Sequence, residues 1–444
     1  MGIKPSLARR LAVEAVMRVT RDGLALMLDE HQLTELDPRD RALTLEITAG
    51  TIRHLTLLDA VLKSCLTRPL PKGRHFLHAV LRTALYQAMF LRIPTRAAIH
   101  QAVELVKNSP EHPKAGFVNA LLRQAVNRNP EELLTTITDP ISQLALRHSH
   151  PEWMVNRWCQ EHGFETTTQR LIANNTPPPL TLRINSLKTD RNSLLTALTP
   201  HAQPHPHTPH GIMISKTGTV ENLPGYQEGW FAVQDAAAQW PAWLLTPQPG
   251  EEILDLCAAP GGKSAQLADL THNQANILAV DLHAGRLQRL QTNLHRLGAT
   301  RVTTLHGDAT RETVLGERQF HKILADLPCT GTGVIRRHPE IKWRRQPADP
   351  TRMAALQQLM LDNVARHLLP GGTLVYAVCS VEPEEGVEQI NRFLHHHPNW
   401  QRLPIPPSTP FMPDNAITPC GDCRFDPGMH AMDGFFISRL QRLT

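Results

Sequence analysis

Residues 252–264 read EILDLCAAPGGKS, and this stretch decides how the second half of the chain folds. Residues 253–256 form a short, largely apolar segment that predicts a strand buried on both faces. The small residues and the Pro-Gly-Gly that follow predict a tight turn, after which residues 263–270 can form a helix. A strand, a turn and a helix in this order open a doubly wound α/β domain, whose ligand binds over the first turn. The stretch therefore predicts a Rossmann-like domain with a ligand site at this turn.

The ligand at this turn is not predicted to be a nucleoside triphosphate or a dinucleotide. Cys257 stands where the phosphate-loop pattern GxxxxGK[ST] requires Gly, and the pattern GxGxxG is absent. Instead, three successive predicted strands end in Asp281, Asp308 and Asp326. An acid after the second strand is placed to hold ribose hydroxyls, and several carboxylates would repel a triphosphate but not a cationic sulfonium. S-adenosylmethionine is therefore the expected cofactor, although any single Asp could instead cap a helix or a turn.

The expected cofactor-binding residues comprise the turn and the Asp residues that end the later strands. They are Cys257, Ala258, Ala259, Pro260, Gly261, Gly262, Lys263, Asp281, Asp308 and Asp326. Small residues in the turn let a ligand approach backbone N–H groups at the start of a helix. Cys257 is also expected to serve as a packing residue.

Length and composition limit the class of protein. A chain of 444 residues predicts two or three domains, and a hydrophobic content of 41% supports full cores. No run approaches the roughly 20 apolar residues that a membrane span needs. The net charge of +5 favours an anionic partner, and seven scattered cysteines suit the reducing cytoplasm, where we expect the protein to act. Residues 1–6 match a loose myristoylation pattern, which we take as chance because an amphipathic helix follows.

Residues 1–147 are predicted to form an all-helical domain that binds or docks a partner, since no catalytic constellation appears among them. Helical spacing of apolar residues predicts helices over 6–19, 39–66, 75–90, 96–107 and 114–127. Three strings resemble the RNA-binding domain of the NusB family: AGTIRH at 49–54, LYQ at 85–87 and GFVNALLRQ at 116–124. The same domain precedes the catalytic domain in a class of bacterial ribosomal RNA methyltransferases, so the resemblance implies RNA binding.

Residues 148–240 are predicted to form a small α/β linker subdomain. LTLRIN at 180–185 alternates like a strand and resembles the RxN strand of the subdomain that precedes the catalytic domain in the same methyltransferases. Residues 199–210 contain four His interleaved with Pro, which predicts a solvated loop rather than a metal site. The CxxC at 420–423 lacks a second ligand pair, so no metal is expected there either.

Two cysteines indicate the reaction. Cys329 follows the fourth predicted strand and Cys379 follows the fifth, so both thiols are expected at the cofactor cleft. Carbon 5 of cytosine becomes nucleophilic only after a thiolate adds to C6, whereas N- and O-methylation need no thiol. The base must be flipped or single-stranded for this attack, and Asp326 could bond its N3 and N4 positions. A free Cys can also be a small buried hydrophobe, but that does not explain two at neighbouring strand ends.

DLPCTGTG at 326–333 and AVCS at 377–380 resemble the RNA 5-methylcytosine methyltransferases of the RsmB/Sun/Fmu family, and the likeness covers essentially the whole chain. It implies a class I, AdoMet-dependent catalytic domain over 241–444 that acts on cytosine 967 of 16S rRNA. In that family the Cys after the fifth strand is the nucleophile and the Pro-Cys thiol assists release, which implies these roles for Cys379 and Cys329. Chemistry alone leaves the assignment open, because DNA cytosine enzymes use the Pro-Cys thiol. Val378 and Leu327 depart from the family's usual Thr and Ala.

The expected partner is RNA, either 16S rRNA or a small-subunit precursor, bound by a monomer without DNA or membrane contact. Two alternatives stay open: the same chemistry on tRNA or another RNA, and a catalytically silent assembly factor that keeps the fold. RRHPEIKWRR at 336–345 carries five Lys or Arg and predicts either a solvated charge run or a loop that contacts phosphates.

Overall fold

The computed structural model describes residues 6–26, 28, 30–215 and 218–444, so residues 1–5 of the myristoylation pattern lie outside the described ranges. The chain forms two compact units. The helical unit contains Met1–Thr176 and Ile335–Pro347, and the α/β unit contains Pro177–Val334 and Ala348–Thr444. The three-domain division predicted from the sequence, with boundaries after residues 147 and 240, remains a prediction.

The helices follow the chain in this order: α1 (Leu7–Asp22), α2 (Glu30–Thr34), α3 (Pro38–Arg53), α4 (Leu55–Ser64), α5 (His75–Phe90), α6 (Thr95–Lys107), α7 (Ala115–Ala125), α8 (Pro130–Leu134), α9 (Pro140–Arg147), α10 (Glu152–His162), α11 (Phe164–Asn175), α12 (Arg191–Ala197), α13 (Ala236–Leu245), α14 (Gly262–Leu270), α15 (Ala284–Leu297), α16 (Ile341–Arg344), α17 (Asp349–Ala365), α18 (Val387–His396) and α19 (Pro427–His430). Short 3-10 helices occur at His112–Lys114, Val220–Asn222, Glu312–Val314, Thr332–Val334 and Pro383–Glu385. Within the described ranges, no helix combines the length and apolar character that crossing a bilayer requires.

The strands are β1 (Leu180–Ile184), β2 (Ala202–Pro204), β3 (Gly211–Ile214), β4 (Phe231–Val233), β5 (Glu252–Leu256), β6 (Asn276–Asp281), β7 (Val302–His306), β8 (Phe320–Asp326), β9 (Leu368–Val378), β10 (Trp400–Arg402), β11 (Cys423–Phe425) and β12 (Phe435–Arg442). The smaller sheet is antiparallel with the order β2-β3-β1-β4. The larger sheet has the order β10-β12-β9-β8-β5-β6-β7, and β11 pairs with β12.

The central strands of the larger sheet run parallel from β7 to β9, and β12 is antiparallel to β9. The order reverses between β5 and β8, so the carboxyl ends of these strands meet at a topological switch point, where α/β sheets bind ligands. The Pro-Gly-Gly at residues 370–372 lies within β9. Leu368 pairs with Phe320 and Thr373 with Lys322, so the residues between them bulge out of the ladder.

The helical unit is built on capped amphipathic helices whose apolar faces share one core. Asp37 caps α3 by accepting hydrogen bonds from the N–H groups of Arg39 (2.8 Å) and Asp40 (3.0 Å). The helical stretch predicted over 39–66 is divided into two helices, because the chain leaves helical geometry at His54 (φ −109°, ψ 21°) and begins α4. The α5 prediction matches at both ends.

The basic run at 336–345 belongs to the helical unit and is partly buried, so neither sequence interpretation holds for its centre. Lys342 is 0% exposed and donates hydrogen bonds to the carbonyl oxygens of Arg53 (2.7 Å) and Ser149 (2.7 Å) and to Oδ1 of Asn175 (3.2 Å). The indole N–H of Trp343 donates to the carbonyl oxygen of Ile52 at 2.8 Å. The charge run is thus a structural insertion that satisfies backbone acceptors of the helical unit.

The loop predicted as solvated at 199–210 is also partly buried. It contains β2, and His205 is 5% exposed. Thr208 donates a hydrogen bond to Oε1 of Gln239 (2.8 Å), and Trp240 donates to the carbonyl oxygen of His207 (3.1 Å). The loop packs on α13, which the polar composition of the segment did not indicate.

Candidate active site

The turn after β5 is held by Asp281, the last residue of β6. Asp281 is 3% exposed, and its carboxylate accepts hydrogen bonds from the N–H groups of Ala259 (3.0 Å) and His283 (3.0 Å). Cys257 (φ 58°) and Gly261 (φ 98°) adopt the left-handed region. A side chain at Gly261 would be strained there, so the turn itself demands this small residue.

Two features near the turn suit a bound ligand: a buried acceptor in β5 and free space at the start of α14. Oδ1 of the buried Asp255 has no hydrogen-bond partner among the described residues, while Oδ2 accepts from Ser264 at 2.5 Å. Burial raises the pKa of Asp255 to about 7. A Cβ added to Gly262 would meet only Gln234, at 3.9 Å, so the start of α14 leaves space for a bound molecule. A buried acceptor and open backbone thus lie together at the carboxyl end of β5.

Lys263 is the positive charge of this region. Its ammonium lies 2.5 Å from Oδ2 of Asp326 and 5.6 Å from the ring centre of Phe435. Burial alone would lower the pKa of Lys263, but the nearby negative groups, of which Asp326 is the foremost, together outweigh burial, and the pKa is raised. Asp255 and the sulfur of Cys379 also contribute to this rise. Lys263 therefore stays protonated beside the carboxylate of Asp326.

The two thiols predicted to share a cleft lie in contact. Sγ of Cys329 is 3.4 Å from Sγ of Cys379, and the residues follow the adjacent parallel strands β8 and β9. The contact with Cys379, then burial and the charge of Glu385, hold the pKa of Cys329 well above its usual range. Cys329 is thereby kept as a thiol.

A buried carboxylate that the sequence did not indicate supports both thiol segments. Glu385 is 0% exposed, and its Oε1 accepts hydrogen bonds from the N–H of Thr330 (2.8 Å) and from Nε2 of Gln357 (3.1 Å). Its Oε2 accepts from the hydroxyls of Ser380 (2.5 Å) and Thr330. Burial raises the pKa of Glu385. Its only signal in the sequence is an acidic run three to six residues after the second Cys, which does not reveal burial.

Most of the residues predicted to bind the cofactor surround the turn after β5, whereas Asp308 makes its hydrogen bonds within its own loop. Burial, followed by the charges of Asp326, Asp281 and Asp255, raises the pKa of Cys257 to about 12, which places these carboxylates around the turn. Asp308 instead accepts hydrogen bonds from the N–H (3.0 Å) and hydroxyl (2.7 Å) of Thr310 in its own loop. Asp255 was read from the sequence only as a strand residue, although an acid within an apolar strand is a signal of burial for function.

Comparison with known proteins places this geometry in a family. The family model for 16S rRNA methyltransferase RsmB/F matches residues 242–441, the NusB family model matches residues 6–127, and the RsmF/B-like ferredoxin-like domain matches residues 150–221. The chain is 38% identical over 444 residues to ribosomal RNA small subunit methyltransferase B of Salmonella paratyphi A and of Salmonella typhi, an alignment that covers 98% of this chain and 99% of each relative. The chain belongs to the RsmB/F family of 16S rRNA methyltransferases.

Solved structures agree with membership of the RsmB/F family at the level of the fold. The crystal structure of PH0851 covers 100% of both chains with a TM-score of 0.83 at 24% identity. A methyltransferase homolog from Pyrococcus horikoshii covers 69% of this chain and 100% of its own, with a TM-score of 0.60 at 29% identity. The resemblance stated from the sequence motifs is confirmed, as is the fold class of a helical NusB-like domain joined to an α/β methyltransferase domain. The roles of individual site residues in this RsmB/F family member remain predictions.

Proposed function

We propose that this rRNA methyltransferase transfers a methyl group from S-adenosylmethionine to C5 of a cytosine, through a covalent bond between Cys379 and C6 of the base. The observation that carries the proposal is the pair of thiols 3.4 Å apart beside the Lys263–Asp326 ion pair. Family resemblance favours cytosine 967 of 16S rRNA as the target. Methylation of oxygen or exocyclic nitrogen would give two adjoining thiols no chemical task.

The residues at the turn fit S-adenosylmethionine. Residues 257–263 would hold the cofactor against the start of α14, and Asp281 would take its ribose hydroxyls. When bound, the cofactor supplies an electrophilic methyl group on a positively charged sulfur. The carboxylates of Asp255, Asp281 and Asp326 favour a cation in this place.

The chemical step assigns different tasks to the two sulfurs. The thiolate of Cys379, which the positive charge of Lys263 would stabilise, forms a bond to C6, and the displaced electron pair makes C5 nucleophilic. Once C5 carries the methyl group, its proton passes to a base, the C5–H electron pair forms the C5–C6 double bond, and the C6–S electron pair returns to Cys379. Cys329, which keeps its proton, can donate an S–H hydrogen bond to the departing sulfur. Asp326 would hold the base through its N4 amino group.

RNA recognition would be divided along the chain. We propose that residues 1–147 bind RNA, that 148–240 form a linker subdomain and that 241–444 carry the catalysis. The reacting base must leave its stack to expose C6, which favours a single-stranded or flipped cytosine in 16S rRNA or a small-subunit precursor. We expect a monomer to suffice, because every proposed reacting group comes from one chain.

Two substitutions test the chemistry. Purified wild-type, Cys379→Ser and Cys329→Ser proteins are incubated with labelled S-adenosylmethionine and 16S rRNA, and transfer and covalent protein–RNA adducts are measured. We expect Cys379→Ser to abolish both, and Cys329→Ser to accumulate the adduct because release is impaired. The reverse pattern would contradict the assignment of roles. Bisulfite sequencing of the product locates the base; methylation of tRNA in place of rRNA would reject the proposed target.

A further inference from the structure

Glu385 joins the two thiol-bearing segments through one side chain. Thr330 immediately follows Cys329 and Ser380 immediately follows Cys379, and both donate hydrogen bonds to this carboxylate. The two segments come from different strands, fifty residues apart in the chain. Their relative position therefore depends on contacts made beyond the ends of β8 and β9.

A second layer of contacts fixes the carboxylate itself. The hydroxyl of Tyr376 donates to the carbonyl oxygen of Glu385 (2.6 Å) and lies 2.9 Å from Oε1 of Gln357. The amide of Gln357 donates both to Glu385 and to the carbonyl oxygen of Pro328 (2.9 Å), the residue before Cys329. The backbone is thus held on both sides of Cys329 by groups that converge on Glu385.

A carboxylate placed here is not explained by stability alone. A buried carboxylate loses its hydration, and a packed apolar side chain is often as stabilising as a buried charge. Oε1 and Oε2 together accept from four donors, so the group is satisfied, but only because both thiol segments supply donors to it. The arrangement costs solvation energy and gains a defined geometry for two particular loops.

We propose that Glu385 is a positioning residue that fixes the separation of the Cys329 and Cys379 sulfurs by holding Thr330 and Ser380. The inference rests on the proposed thiol chemistry for its purpose, although the geometry can be measured without that chemistry. The role requires only the hydrogen bonds that Glu385 accepts from Thr330 and Ser380. Its loss is expected to lower the rate of the chemical step without changing cofactor affinity.

The first test measures the separation of the sulfurs on the protein alone. Phenylarsine oxide condenses with two thiols to form one As(S)₂ bridge and water, and it needs two sulfurs at non-bonded contact. Titration is carried out in a Cys420→Ser background, because the exposed Cys420 could otherwise pair with Cys423. We expect Glu385→Gln and Ser380→Ala to weaken arsenical binding on the order of 10-fold, since the thiols are no longer prearranged. Wild-type affinity in both folded variants would overturn the proposal.

The matched control is Glu388→Gln, which makes the same chemical change three residues away at an exposed position of α18. It is expected to bind the arsenical as the parent does. Ser380→Ala keeps the test decisive if Glu385→Gln does not fold, because it removes a single hydroxyl. Cys329→Ser should abolish formation of the arsenic bridge, which would show that the arsenical binds the Cys329–Cys379 pair.

The second test separates positioning from general damage. We expect Glu385→Gln to lower kcat for RNA methylation by roughly 10²-fold, with an unchanged KM for S-adenosylmethionine, because a small displacement of reacting groups has that effect. An equal rise in KM would overturn the proposal, since it would indicate damage to the whole site. If methylation is absent in the wild type while arsenical binding follows the expected order, the proposed function fails and the positioning role stands.

Discussion

Substitution of Lys342 gives a direct measure of how the inserted segment 335–347 stabilises the helical unit. Lys342→Ala removes an ammonium that donates to Arg53, Ser149 and Asn175. Each buried acceptor left without a donor costs about 1–3 kcal/mol, and the loss of three methylene groups costs about 0.8 kcal/mol each. Partial entry of water lowers the sum, so we expect a local destabilisation of about 5 kcal/mol. Lys342→Met keeps the volume and should cost about 2 kcal/mol less.

Hydrogen exchange measured by mass spectrometry is the suitable assay, because a chain of two units need not unfold in a single transition. Peptides from α3 and α11, which contain Arg53 and Asn175, should exchange faster in Lys342→Ala, and peptides from β5 and β8 of the α/β unit provide the internal reference. The matched control is Lys114→Ala, which makes the same chemical change at an exposed position of the helical unit. Exchange from α3 at the wild-type rate in Lys342→Ala would refute the reasoning.

The same residue predicts a dependence on pH. Burial, and then the charge of Arg53, hold the pKa of Lys342 well below its ordinary 10.5. Between the folded and the ordinary pKa the unfolded chain therefore binds more protons, so this group makes the helical unit more stable as the pH rises through that window. The rise of the stability of the helical unit with pH should be absent in Lys342→Met. The same rise in Lys342→Met as in the wild type would contradict its assignment to Lys342.

Two further predictions concern the cores of the units. Asp255→Asn should remove a pH dependence of the free energy of unfolding. The carboxyl has a folded pKa of about 7 against an ordinary 3.8, so its contribution to stability falls by about 4 kcal/mol as the pH rises between those values. Urea midpoints at about pH 5 and about pH 8 measure the difference, and an equal pH dependence in both proteins would reject the prediction. Gly50→Ala should destabilise the helical unit by about 1–3 kcal/mol, because its Cβ would overlap the ring of Tyr86. Gly116→Ala is the control: a Cβ there meets nothing within 4 Å, so thermal unfolding should show a gain of up to about 1 kcal/mol, and a loss at both positions would refute the packing argument.

The elements that could be predicted are those whose structure is determined by residues close together in the sequence. The helix His75–Phe90 and the strand, turn and helix from Glu252 to Leu270 follow from local apolar spacing and from the Pro-Gly-Gly turn. The break at His54 was missed because apolar residues keep helical spacing through it. Local periodicity reports which face is apolar, and it does not report where packing redirects the chain.

The parts that were missed depend on partners distant in the chain. Lys342 lies in a charge run that the sequence predicts to be either solvated or in contact with phosphates, yet its acceptors come from Arg53 and Ser149, which no local pattern connects to it. The two thiols were found because each ends a strand, and strand ends are locally visible. Glu385 was missed because its importance arises only when β8 and β9 bring Thr330 and Ser380 to the same carboxylate.

Formation of the Cys379–cytosine bond is the step on which the proposed function depends. It can be trapped with a 16S rRNA fragment that carries 5-fluorocytosine at the target position, because fluorine at C5 cannot leave as a proton does and the thiol is not released. With S-adenosylmethionine present, we predict a stable protein–RNA adduct whose RNA-linked peptide contains Cys379, and no adduct with Cys379→Ser. A cross-linked peptide that contains Cys329 instead, or methylated RNA without any adduct, would contradict the mechanism.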